Sequence, residues 1–114
     1  MSAYEKVLLA RAKDRPTAAV CMDDALAIGL TGLLKGMGLD VPGDVSIVSF
    51  NNTDAGKYHI PALTSFEIDP YRLGMSAMHL MAGVLKGTMD APRSIEVPFT
   101  LIERDSVGGA PASE

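Results

Sequence analysis

The sequence predicts an α/β fold in which a parallel sheet is flanked by helices, and three observations predict it. Two short apolar runs, residues 18–22 and 45–50, have starts about thirty residues apart with a helical stretch between them, the dimensions of a right-handed βαβ unit. The first run is nearly all apolar and the second mostly so, as expected of strands covered on both faces. A polar pair follows each run at once: Asp23 and Asp24 after the first, Asn51 and Asn52 after the second. In parallel strands both pairs emerge at the carboxyl edge of one sheet, where ligands of open α/β sheets sit.

Taken in order, residues 2–12 form the first expected helix. Tyr4, Val7 and Leu8 recur at helical spacing, and Ser2 with Glu5 makes a capping box. Pro16 ends it by disfavouring helical geometry in the residue before it. Residues 17–22 read as a strand. The next helix begins at Asp23 or Asp24, where a carboxylate caps free amides and meets the positive end of the helix dipole, and runs to about Met37. Gly29, Gly32 and Gly36 share one of its faces. Each glycine costs roughly 1 kcal/mol in a helix interior, so the stripe predicts a close backbone approach, to the sheet or to a partner chain. Gly38, Pro42 and Gly43 turn the chain into the strand at 45–50.

Residues 53–58 hold a short helix capped by Asn52 or Thr53, and Pro61 forbids a longer one. A strand at 63–68 follows, then a helix at 70–86 with proline in its first turn. Met75, Met78, Met81 and Leu85 stripe that helix, a spacing read as core, although methionine clusters also serve adaptable binding surfaces. Residues 94–99 and 101–103 supply one or two last strands, with Pro98 weakening the ladder or marking an edge. The Gly, Ala, Pro and Ser content of residues 106–114 predicts a disordered tail.

With 114 residues, 47% of them hydrophobic, the chain is one domain or part of one. Its net charge of −4 and its scattered basic residues argue against holding nucleic acid phosphates by itself. The single cysteine, Cys21, excludes an intramolecular disulfide and reads as a small buried hydrophobe in a reducing compartment. No run is long enough to span a membrane, and the first residues carry charges where a signal peptide is apolar, so the expected location is cytoplasmic.

The sequence carries little that points to an enzyme. It has no Gly-rich phosphate loop, CxxC pair, HExxH or GxSxG motif, and no cofactor or metal is expected. His59 reads as a surface or interface residue and His79 as a helix-surface or packing residue. What remains is Asp23 with Asn51. A carboxylate and an amide together accept from and donate to neighbouring hydroxyls, which suits a sugar or other polyol. The spacing alone favours Asp23 as only a cap and Asn51 as only a turn residue.

At these residues the sequence resembles the LacI/GalR family of bacterial transcription regulators, in the last part of their effector-binding domain. The matching phrases are PTAAVCMDDALAIG, GLDVPGDVSIVSFNN, YHIPALTSFEID, RLGMSAMHLM and PFTLIERDSVG, in the family's order and spacing over residues 10–108. The resemblance implies an incomplete type I periplasmic-binding-protein-like fold, whose two α/β lobes enclose a small effector. Residues 17–64 would form the core of the C-terminal lobe, 70–87 a helix of the N-terminal lobe and 94–104 the return strands, within a unit covering 1–105.

The resemblance makes Asp23, Asn51 and Pro70 ligand contacts. Asp23 stands where the family often has Asn, and Asn51 where it usually has Asp, so the pair looks swapped. The SFNN form is similar to regulators of maltose and related oligosaccharides. Dimer contacts would fall at Ile28, Ala55 and His59, and an exchanged 70–86 helix is a second route to a homodimer. No segment resembles the helix-turn-helix headpiece, so DNA binding would depend on a segment absent from this chain. The implied function is that of a fragment of a sugar-responsive repressor, its effector-binding and dimerisation region, with no enzymatic activity. A piece of a periplasmic-type sugar-binding protein, or a small α/β enzyme, are the alternatives.

Overall fold

The computed structural model describes residue 6, residues 14–90 and residues 94–112. Apart from residue 6, the helix expected over 2–12 lies outside the described residues. Among residues 14–90 and 94–112 seven elements follow in chain order: β1 (Ala18–Val20), α1 (Asp24–Gly36), β2 (Ser46–Phe50), α2 (Asp54–Tyr58), β3 (Thr64–Ile68), α3 (Pro70–Leu85) and β4 (Phe99–Ile102). The strands form one sheet in the order β1-β2-β3-β4. β1 pairs with β2 and β2 with β3 in parallel, placing Val20 beside Val48 and Phe50 beside Phe66. β4 runs antiparallel to β3, so the sheet is mixed rather than wholly parallel. Pro98 immediately precedes β4, and a single strand stands where one or two were expected.

Helix α1 covers one face of the sheet because its inward stripe is apolar at helical spacing. Ala27 and Leu34 pack with Cys21, Val41, Val45, Ile47 and Leu63 in the core, and Leu30, Leu33 and Met37 flank it. The glycine face of α1 points elsewhere. A Cβ added at Gly29, Gly32 or Gly36 would meet nothing within 4 Å, so the predicted close approach does not occur among the described residues. On the opposite sheet face Phe50 stacks on Phe66 at 5.0 Å between ring centroids, and Phe66 meets Phe99 edge to face at 5.4 Å.

Two sequence expectations change. The methionine stripe of α3 is not core: Met75, Met78 and Met81 are all exposed, and Gly83 is the helix's only buried residue among those described. The helix forms locally, started by Asp69 accepting from the Tyr71 and Arg72 amides with Pro70 in its first turn. The segment around Ser106 is also not loose. Ser106 is fully buried; its hydroxyl donates to the Ile47 carbonyl at 2.6 Å and accepts from the Thr64 amide at 2.8 Å. Ser106 thus splices the starts of β2 and β3, and Gly108 bonds Ser46 through its amide. Composition predicts disorder here, but long-range hydrogen bonds order the backbone as far as Gly108.

Candidate functional site

The parallel strands β1 and β2 deliver their following residues to one edge, and an open cleft of about 520 Å³ lies there. Asp23, Asp24, Ala25, Ile28, Asn51, Thr53 and Ala55 line it. Asp23 and Asn51, which follow different strands, are therefore brought together. Asp23 is the N-cap of α1: extended at φ −154°, its Oδ1 accepts from the Leu26 amide at 2.8 Å. Capping uses one oxygen, and Oδ2 has no hydrogen-bond partner among the described residues.

Asn51 and Asn52 have φ of +92° and +47°, in the left-handed region that asparagine tolerates better than most residues. The Asn51 amide donates to the Phe66 carbonyl at 2.8 Å, tying the turn to β3. Its side chain is exposed, with no hydrogen bond among the described residues. Asn52 is held more tightly, its side-chain oxygen accepting from Arg104. The same guanidinium donates to the Leu63 carbonyl at 2.8 Å, so the segment after β4 braces the turn.

Beneath the cleft lies Asp24, only 1% exposed. Ser49 and Ser65 hydroxyls donate to its Oδ1 at 2.5 and 2.9 Å; the Thr53 amide and hydroxyl donate to Oδ2 at 2.6 and 2.7 Å. Burial pushes this carboxyl upward, but the donors from Ser49, Thr53 and Ser65 outweigh it and hold the group below the usual carboxylate range. α2 comes close to this carboxylate, and only glycine fits: a Cβ at Gly56 would stand 2.6 Å from Asp24 Oδ2. Cys21 has its thiol pushed up by burial and by the charge of Asp23, which keeps it protonated.

The remaining predicted residues fall in three places. Pro70 lies in a separate hollow of about 320 Å³ with Glu67, Asp69, Arg72, Pro98 and Thr100, so it does not line the cleft shared by Asp23 and Asn51. Ile28 and Ala55 line that cleft. His59 follows α2, with Nδ1 3.0 Å from the Pro61 carbonyl. Sequence reasoning missed the joint role of Asp24, Ser49, Ser65 and Thr53. The available signal was serine within otherwise apolar strands, since a buried hydroxyl requires a partner. Among the described residues no group of three or more His, Cys, Asp or Glu side chains is placed to hold a metal ion. No described helix is long and apolar enough to cross a membrane.

A mixed sheet whose parallel strands open onto a polar cleft at their carboxyl edge defines the class, an α/β domain with a cleft at the strand ends. Residues 1–107 match the periplasmic binding protein-like domain family. The chain belongs to that family, as an effector-binding domain of the LacI/GalR type. It is 37% identical over 99 residues to the HTH-type transcriptional repressor PurR of Erwinia tasmaniensis, covering 87% of this chain and 29% of the repressor. The chain thus spans less than a third of that relative's length. A LacI family transcriptional regulator from Bifidobacterium animalis subsp. lactis superposes with a TM-score of 0.79 at 30% identity, covering 97% of this chain and 39% of the other. The LacI family regulator CCPA from Weissella paramesenteroides, solved with bound glucose, superposes with a TM-score of 0.66 at 34% identity, covering 80% and 31%.

Proposed function

We propose that this chain supplies one wall of the effector cleft of a sugar-responsive transcription repressor, acting in the cytoplasm and without catalysis. The observation that carries the proposal is the meeting of Asp23 and Asn51 in one cleft, each with polar atoms unspent within the described chain. The free carboxylate oxygen accepts from a ligand hydroxyl, and the amide both donates and accepts, a set suited to a sugar or polyol. Glucose bound to the Weissella regulator supports a sugar over other small molecules. Pro70, in its separate hollow, is a further ligand contact in this reading, and DNA is reached through a helix-turn-helix outside this chain.

Calorimetric titration of the chain with glucose and with sucrose tests the site. Asp23→Ala and Asn51→Ala are each expected to weaken binding about tenfold, equivalent to about 1.4 kcal/mol. Unchanged binding in both variants removes these residues from the site.

A homodimer joined at Ile28, Ala55 and His59 is the second part of the reading. It is supported by the apolar surface beside His59, where Tyr58 is 73% and Ile60 91% exposed. Light scattering is expected to give the dimer mass, with Ile60→Asp shifting it to monomer. A wild-type chain that stays monomeric at high concentration overturns the dimer.

A further inference from the structure

Four donors converge on one buried carboxylate, and two of them come from the turn that presents Asn51. The Thr53 amide and hydroxyl reach Asp24 Oδ2 directly. The Asn52 amide donates to the Ser65 hydroxyl oxygen at 3.0 Å, and that hydroxyl donates on to Asp24 Oδ1. Consecutive amides of the turn are therefore held by a single side chain, one directly and one through a relay. A pair of left-handed asparagines is an uncommon backbone and persists only where its surroundings over-determine it.

We propose that Asp24 is the positioning residue of the cleft: its carboxylate fixes the backbone of residues 51–53 and so sets where the Asn51 amide stands relative to Asp23. This rests on the effector reading of Asp23 and Asn51 and extends it to a residue that is only 1% exposed. Only an ionised carboxylate suits the position, because four donors need an acceptor with four lone-pair sites. An amide in its place offers one oxygen and one NH2, so a donor replaces an acceptor either at the Thr53 pair or at the Ser49 and Ser65 hydroxyls. The carboxylate also links the start of α1 to β2, β3 and the start of α2, so the elements bearing Asp23 and Asn51 share one anchor.

Amide hydrogen exchange, read residue by residue by NMR on the whole chain, tests this without any ligand. Asp24→Asn is expected to speed exchange at the Asn52 and Thr53 amides at least tenfold relative to the Cys21 amide, which bonds Val48 within the sheet. Ser65→Ala, which removes the relay alone, is expected to speed Asn52 more than Thr53. Ser49→Ala takes a donor from the same carboxylate without touching the turn, and is expected to leave the ratio of turn to sheet exchange at the wild-type value. Equal protection of the turn in Asp24→Asn and wild type overturns the proposal. So does an equal loosening by Ser49→Ala, which would mark a general loss of stability. Should Asp24→Asn fail to fold, Ser65→Ala decides the question, and unchanged Asn52 exchange there overturns the relay. Glucose titration separates this from the effector reading: Asp23→Ala and Asn51→Ala chains that both bind glucose as the wild type does overturn that reading and leave the exchange result standing.

Discussion

Replacing Gly56 with alanine sets two physical effects of opposite sign against each other. Gly56 lies within α2, where alanine is the better helix former by about 1 kcal/mol and also reduces the entropy of the unfolded chain. Local propensity alone therefore predicts a gain. The tertiary structure predicts a loss, because the new methyl would lie 2.6 Å from Asp24 Oδ2 and 2.8 Å from its Cγ. The carboxylate cannot swing aside cheaply, being held at 2.5–2.9 Å by Ser49, Ser65 and Thr53. Moving it, or lifting α2 away, breaks the two Thr53 bonds, and hydrogen bonds to a charged group are worth about 1.5–3 kcal/mol each. Subtracting the helix gain leaves a net loss of about 2–5 kcal/mol. Urea unfolding followed by circular dichroism should show the midpoint falling by about 1–2 M with an unchanged slope. A neutral or stabilising Gly56→Ala would refute the tight approach of α2 to Asp24.

Acid stability should carry the mark of the same carboxylate. Asp24 ionises below the usual range in the folded chain, so its contribution is present above the ordinary carboxylate pKa of about 4 and is lost as pH falls through the lower folded value. Asp24→Asn should therefore be less stable than wild type at neutral pH and show a flatter acid limb in pH-dependent urea melts; parallel limbs would exclude Asp24 as the titrating group. Leu34→Ala should cost about 2–5 kcal/mol because Leu34 is fully buried in the core. Met78→Lys on the exposed face of α3 should stay within about 0.5 kcal/mol, and similar losses for the two would place α3 in the core after all. Arg104→Ala should destabilise by about 2 kcal/mol by freeing the Asn52 oxygen and the Leu63 carbonyl, and Arg104→Lys should not restore it because lysine lacks the planar fork.

What the sequence by itself determined is local in origin. The strand-helix-strand unit at residues 18–50 was readable from apolar periodicity and spacing, and Asp23 as a cap from its place before the helix. The meeting of Asp23 and Asn51 followed from connectivity, since parallel strands bring their carboxyl ends to one edge. Other features depended on partners distant along the chain. Asp24 reaches Ser49, Thr53 and Ser65, separated from it by 25, 29 and 41 residues, and no local pattern announces such a convergence. Ser106 sits in a stretch whose composition favours disorder, and is ordered by bonds to Thr64 and Ile47 across 42 and 59 residues. The methionines of α3 repeat at the helical period of a core face, yet periodicity states only which residues share a face. Whether that face is covered depends on what packs against it, and in this chain Met75, Met78 and Met81 stand exposed.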